Sequence, residues 1–158
     1  MAQSRLISIV AVCVLPFVVF GCSYGYHYEP VDSQGVQHPQ WSETIDGVKL
    51  TVDRSHYSIG VTHAFQGLHV RSLGGKPVVV LGAQLISNGR TFDAEILNDA
   101  LSLEARTVPP WKMSKIDLHW KLDKRVEELF GPDITWIWKI RIAKKDYTWR
   151  VPMRRIGE

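Results

Sequence analysis

From Val48 onward, apolar and polar residues alternate with a period of two. Val48, Leu50 and Val52 are interleaved with Lys49, Thr51 and Asp53, and Tyr57, Ile59 and Val61 with Ser58, Gly60 and Thr62. Successive side chains of a strand point to opposite faces, so each set predicts a half-buried β-strand. Gly74-Gly75 marks a turn before Pro77, and Val78 to Ile86 (VVVLGAQLI) is apolar on both faces, as a central strand would be. Asn88-Gly89 predicts a type I′ hairpin, because both residues tolerate positive φ. It leads into a strand over Thr91 to Ile96 and another over Leu101 to Arg106, the latter ended by Pro109-Pro110. Ile116, Leu118, Trp120 and Leu122 alternate with charged residues and His119. Lys124 to Phe130 predicts one or two helical turns with Val126, Leu129 and Phe130 on one face, stopped by Gly131-Pro132. Ile134, Trp136, Trp138, Ile140 and Ile142 form the longest stripe, and Tyr147, Trp149 and Val151 return across a Lys144-Lys145-Asp146 turn.

About eight short strands in roughly 110 residues, with regular turn signals and no helix long enough for a βαβ crossover, predict an all-β fold. The expected architecture is an antiparallel, immunoglobulin-like β-sandwich, with a small closed β-barrel as the alternative. Residues 23 to 44 show neither period and carry Gly, Pro, Ser and Gln throughout, so they read as a flexible tether ahead of a domain spanning 45–158. A flexible chain of that length spans about 25 Å. Its aromatic cluster, Tyr24, Tyr26, His27 and Tyr28, suits the headgroup level of a bilayer.

The start of the chain is different in kind. Arg5 precedes an almost unbroken apolar run from Leu6 to Phe20, interrupted by Ser8 and Pro16. That run falls short of the ~20 residues a spanning helix needs, and its order is that of a secretory signal over residues 1–21. Val19-Phe20-Gly21-Cys22 resembles the lipobox of bacterial lipoproteins, a resemblance confined to residues 1 to 22. It implies a diacylglyceryl group on the Cys22 thiol, cleavage between Gly21 and Cys22, and acylation of the new amino group. Ser23, in place of an Asp, implies sorting to the outer membrane, facing the periplasm, where the source has two membranes. The resemblance also divides the chain into signal (1–21), lipid-anchored tether (22–44) and sandwich (45–158).

Only two cysteines are present, and Cys13 lies inside the segment that cleavage would remove. A mature chain with Cys22 alone has no internal disulfide and, once lipidated, no thiol nucleophile. The catalytic strings of hydrolases, zinc peptidases, phosphate loops and dinucleotide folds are missing, so a non-enzymatic module is the expectation. His56, His63 and His69 invite a metal reading. Positions 63 and 69 share a strand face, while 56 falls on the other by parity, and neither metal nor cofactor is expected. Glu127 and Glu128 point apart on a helical turn and read as solvated.

Trp136 and Trp138 share a stripe with three isoleucines, which argues for core. Trp111 follows two prolines in a loop and is the better binding candidate. Charge sharpens this. Residues 23–100 hold 5 basic against 8 acidic side chains and residues 101–158 hold 13 against 8. Lys139, Arg141, Lys144, Lys145 and Arg150 concentrate that excess on the last hairpin, so with Trp111 they form the candidate binding surface. In an envelope such a surface suits an envelope protein, peptidoglycan carboxylates or anionic lipid, and not nucleic acid. The expected function is a tethered binding or assembly module. A lipid-anchored hydrolase with a dispersed site and a barrel-type carrier of an apolar ligand are the alternatives.

Overall fold

The computed structural model describes residues 24–93 and 106–157. Gly21, Cys22 and Ser23, the end of the 91–96 strand and nearly all of the expected 101–106 strand lie outside the described residues. The described chain folds into β1 (Gly25–Pro30), β2 (Gln40–Ile45), β3 (Val48–Asp53), β4 (Ser55–Ser58), β5 (His63–Ser72) and β6 (Val78–Ser87). These are followed by β7 (Arg90–Asp93), β8 (Thr107–Val108), β9 (Met113–Lys121), α1 (Val126–Leu129), β10 (Asp133–Ile142) and β11 (Lys145–Arg155).

Two antiparallel sheets face each other, as the sandwich reading expects. The larger has the order β4-β1-β11-β10-β6-β7 with β8 also on β6, and the smaller has β2-β3-β5-β9. The larger sheet is curled, but its edge strands β4 and β7 are not hydrogen-bonded to each other, so among the described residues no barrel closes.

Alternation becomes burial. Val48, Leu50, Val52, Leu68, Val70, Leu118 and Trp120 point inward from the smaller sheet and meet Val80, Leu85, Trp136, Trp138, Ile140 and Val151 from the larger. Trp120 and Trp136 touch across the sandwich with ring centroids 4.3 Å apart. Three fully buried indoles bring a large apolar area to the centre of a small domain. Asn88 (φ 48°) and Gly89 (φ 72°) make the expected hairpin turn, and Val126, Leu129 and Phe130 bury the helical segment's apolar face.

Several expectations are corrected. Residues 25–30 and 40–45 are strands, so the ordered sandwich starts at Gly25, not at residue 45, and the long tether is absent. β1 pairs with both β4 and β11, which satisfies its backbone on both edges. Tyr28 is consequently buried and cannot join a headgroup-level cluster, whereas Tyr24 is 80% exposed. β4 ends at Ser58, which leaves Ile59 in a turn. The last hairpin turns at Ala143-Lys144, one residue earlier than expected, and Lys145 and Asp146 already belong to β11.

Antiparallel register assigns the loops to two ends. The Tyr24 end carries the start of β1, the β4–β5 turn, the β6–β7 turn, α1 and the end of β11. The Trp111 end carries the turns at 46–47, 73–77, 109–112 and 143–144. Ten residues of β10 at ~3.3 Å each separate the ends by roughly 30 Å.

Candidate functional site

The sequence-derived surface divides into two parts. Trp111, Lys144 and Lys145 lie at the Trp111 end. Lys139, Arg141 and Arg150 lie lower, on the outward face of the β10–β11 hairpin, where Lys139 pairs with Thr148, Arg141 with Asp146 and Arg150 with Ile137. The two parts are joined through the hairpin tip, because Ala143 N–H donates to Pro77 O in the 73–77 loop.

Cross-strand register decides which cations stay uncompensated. Arg141 forks onto Asp146 through Nε and Nη2 at 2.6 and 2.9 Å, and that carboxylate holds the guanidinium proton more tightly than usual. Arg154 pairs with Asp133 at 3.0 Å. Among the described residues, no carboxylate forms an ion pair with Lys139, Lys144, Lys145 or Arg150.

At the Trp111 end, Asp46 accepts Lys76 Nζ at 2.5 Å and the Tyr147 hydroxyl at 3.1 Å. These donors pull the Asp46 carboxyl below the usual carboxylate range. Lys145 Nζ stands 5.2 Å from the centre of the Tyr147 ring. Beside this polar knot lie three exposed apolar side chains, Leu73 (41%), Trp111 (72%) and Met113 (70%). Leu73 and Met113 escaped the sequence reading, since each sits where a strand enters a loop and breaks no pattern.

Trp111 is also strained. Its φ is +62°, the left-handed region that a bulky residue rarely adopts, at a cost of about 1–3 kcal/mol. The ring is laid against Gly75, where a Cβ would stand 2.9 Å from Trp111 Cζ2, so only glycine fits beneath it. An apolar ring kept exposed at a conformational cost is the arrangement expected of a contact residue rather than of a packing one.

The histidines do not converge on one point. His69 Nε2 meets Asp53 Oδ2 at 2.9 Å, His56 Nδ1 meets His27 Nε2 at 3.2 Å, and His63 Nδ1 meets His119 Nε2 at 2.9 Å. His63 and His69 do share the outward face of β5, and His56 lies on β4 of the other sheet. Among the described residues no group of three metal-binding side chains is assembled. Glu127 is not merely solvated, because its Oε2 accepts Gly60 N–H at 2.9 Å, which lowers its pKa.

Two clefts follow the seam where the chain leaves β3, turns at Arg54 and joins the other sheet as β4. One of about 430 Å³ runs from Asp53 to Lys115, and another of about 190 Å³ runs from Tyr57 to His63. His56 and Phe65 stand between them. The seam is closed beneath by Gln66, which accepts the Ser55 and Tyr57 hydroxyls. Desolvation raises the Tyr57 pKa, so this hydroxyl stays protonated.

A third cleft, about 320 Å³, lies at the Tyr24 end where β11 stops and β1 continues paired with β4 alone. Tyr26, His27, Arg54 and Arg155 line it. The Arg155 guanidinium stacks 3.6 Å from the centre of the Tyr26 ring. It donates to Tyr28 Oη, Phe130 O and Gly131 O. Sequence reading counted Arg155 only as charge, because its partners are over a hundred residues distant or on the α1 loop. Among the described residues no helix is long and apolar enough to cross a membrane. No protein-family model, curated protein or solved structure matches the chain.

Proposed function

We propose that this protein is a bacterial envelope lipoprotein, anchored through Cys22, whose sandwich is a non-enzymatic binding or assembly module. In this reading the anchor is coupled closely to the domain, and the Trp111 end is held away from the bilayer to meet a partner. The observation that carries it is one of placement. Only Ser23 and Tyr24 separate Cys22 from β1, and β1 starts at the end of the sandwich opposite Trp111. Three residue steps extend at most about 11 Å, so the Tyr24 end rests on the membrane and Trp111 projects roughly 30 Å further out. In this reading Ser23, standing where an Asp would retain the protein in the inner membrane, favours the outer membrane, periplasmic side, in a two-membrane cell.

The partner suited to the far end carries an apolar pocket for Trp111, Met113 and Leu73 and acidic groups for Lys144 and Lys145. An envelope protein with an acidic surface, or peptidoglycan, meets that description. A carrier role is disfavoured because Trp120, Trp136 and Trp138 fill the interior that a ligand would need.

Two measurements test the reading. Fatty-acid labelling should tag the wild-type chain and not Cys22→Ser, and the variant should leave the membrane fraction; labelling that persists in the variant refutes the anchor. Cross-linking in intact cells from a photoreactive residue at 113 should capture an envelope partner, and Trp111→Ala should reduce that capture. Turnover in an esterase, peptidase or glycosidase panel would replace the binding role with a hydrolytic one.

A further inference from the structure

We propose that the cleft beside β1 binds a phosphate ester, and that on the anchored protein this ester is an anionic lipid headgroup of the leaflet holding Cys22. The source of the ligand rests on the anchor reading; the phosphate chemistry rests on the cleft alone.

Arg155 dominates the cleft wall. Its partners among the described residues are all neutral: the Tyr26 ring face, the Tyr28 hydroxyl and the carbonyls of Phe130 and Gly131. Among the described residues no carboxylate pairs with it, and its Nη1 donors bond no described atom. The guanidinium is therefore fixed in orientation by Tyr26 and by Nε and Nη2, while no described carboxylate neutralises its charge at the wall of a cleft. A planar fork held in advance loses little entropy when an oxyanion arrives, which is the property that makes arginine a phosphate reader.

Arg54 supplies a second guanidinium on the same cleft. Its Nη2 shares Glu29 Oε1 at 3.2 Å, and its side chain is 56% exposed, so its other donors stay within reach of a ligand. His27 adds an imidazole to the wall and is engaged with His56. Among the described residues the charged and titratable groups facing the cleft are thus Arg54, Arg155, His27 and the Tyr26 phenol, with the Glu29 carboxylate behind Arg54. Gly25, on the cleft wall, lies so close under the His56 ring that a side chain there would collide with Cε1.

The volume, about 320 Å³, suits a phosphate with a glycerol-sized substituent. Within about 11 Å of Cys22, the anion at highest local concentration is the headgroup phosphate of the anchoring leaflet, so the anchor makes even a weak site effectively occupied.

The test uses the full chain in detergent micelles and in vesicles, with glycerol phosphate as the probe. Calorimetric titration in micelles should show binding that weakens about tenfold in Arg54→Gln, the loss of one charge-assisted contact. Arg155→Lys should weaken it at least as much, since it keeps the charge but not the fork. Arg155 also supports the Phe130–Gly131 carbonyls, so Arg54→Gln on the exposed rim decides the matter if Arg155→Lys fails to fold. In phosphatidylcholine vesicles containing phosphatidylglycerol, amide exchange at residues 25–27 and 155–157 should slow relative to phosphatidylcholine alone, in wild type and not in Arg54→Gln. Cys22→Ser should keep glycerol phosphate binding and lose the lipid-dependent protection. A Cys22→Ser chain that retains both leaves the cleft standing and removes the anchor. No binding by the folded wild type, or undiminished binding in both arginine variants, overturns the proposal. Binding in micelles without protection in vesicles overturns its lipid half and leaves a soluble phosphate ester as the ligand.

Discussion

The Tyr24 end and the Trp111 end of the sandwich close the same core by opposite means. At the Tyr24 end, polar side chains turn inward to meet backbone that would otherwise be stranded. Tyr28 Oη donates to Gly131 O at 2.6 Å, Ser87 Oγ donates to Leu129 O at 3.0 Å and accepts Gly131 N–H at 3.0 Å, and Phe130 packs edge-on to Tyr57. Both ends turn through left-handed backbone, at Gly60, Asn88 and Gly89 on one and at Asp46, Gly47, Gly75, Trp111 and Ala143 on the other, but at the Trp111 end Asp46 takes its partners, Lys76 and Tyr147, at the surface. One end buries its polar contacts over the core and keeps the Arg155 cleft outside them. The other leaves a strained apolar ring exposed.

The largest effect that would test this contrast is Phe130→Ala. It should destabilise the fold by about 3–5 kcal/mol in urea titration, as emptying a well-packed aromatic site does, while Trp111→Ala should stay within about 1 kcal/mol of wild type. Equal losses at both would erase the distinction. Ser87→Ala comes next. It strands the buried Gly131 N–H, while Leu129 O keeps Asn88 Nδ2, for an expected cost of about 1–3 kcal/mol. Trp111→Gly should be smaller and of the other sign, because glycine relieves the left-handed strain. Stability is expected to hold or rise by up to about 1 kcal/mol, offset in part by lost contact with Gly75. A clear loss of stability would show Trp111 to be a packing residue.

The ends should also fail at opposite extremes of pH. Burial raises the Tyr28 and Tyr57 hydroxyls above their ordinary value of about 10. Their contribution is therefore complete below pH ~10 and is lost above it, where the unfolded chain releases protons that the folded chain retains. Asp46 is lowered by Lys76 and then Tyr147. Its contribution is present above pH ~4 and lost as the pH falls through its folded value. Urea midpoints measured across pH should show Tyr57→Phe flattening the alkaline limb and Asp46→Asn the acid limb. Asn accepts the left-handed backbone at 46, so the second variant changes charge without changing the turn. Unaltered limbs in both would remove the assignment.

Most of the sandwich was legible in the sequence wherever aliphatic residues alternate with polar ones, as in β3, β9 and β10. β2 was not, because Glu43, opposite Leu50, takes a place in the apolar alternation while staying exposed, and breaks the stripe. The residue that makes it tolerable is Trp149, whose Nε1–H donates to Glu43 Oε2 at 2.5 Å from the opposite sheet. β1 hid for a related reason. Tyr26, Tyr28 and Pro30 alternate with His27 and Glu29, but Gly25 and Pro30 at the strand's two ends are residues depleted from strands. Of the candidate surface, the exposure of Trp111 followed from Pro109-Pro110, whereas its strain depends on Gly75 in another loop. The charge excess of the last hairpin was visible as a count. Only the cross-strand register shows that Asp146 and Asp133 neutralise Arg141 and Arg154 and leave Lys139 and Arg150 alone.

The direction of β1 has a mechanical consequence. A load applied between Tyr24 and the Trp111 end runs parallel to the strands, so the ladders that tie β1 to β4 and β11 are strained in shear, many bonds together, instead of peeling one by one. Such a domain transmits tension between its two ends without first unravelling at its N-terminus. A sandwich whose first strand entered from the Trp111 end would unzip under the same pull.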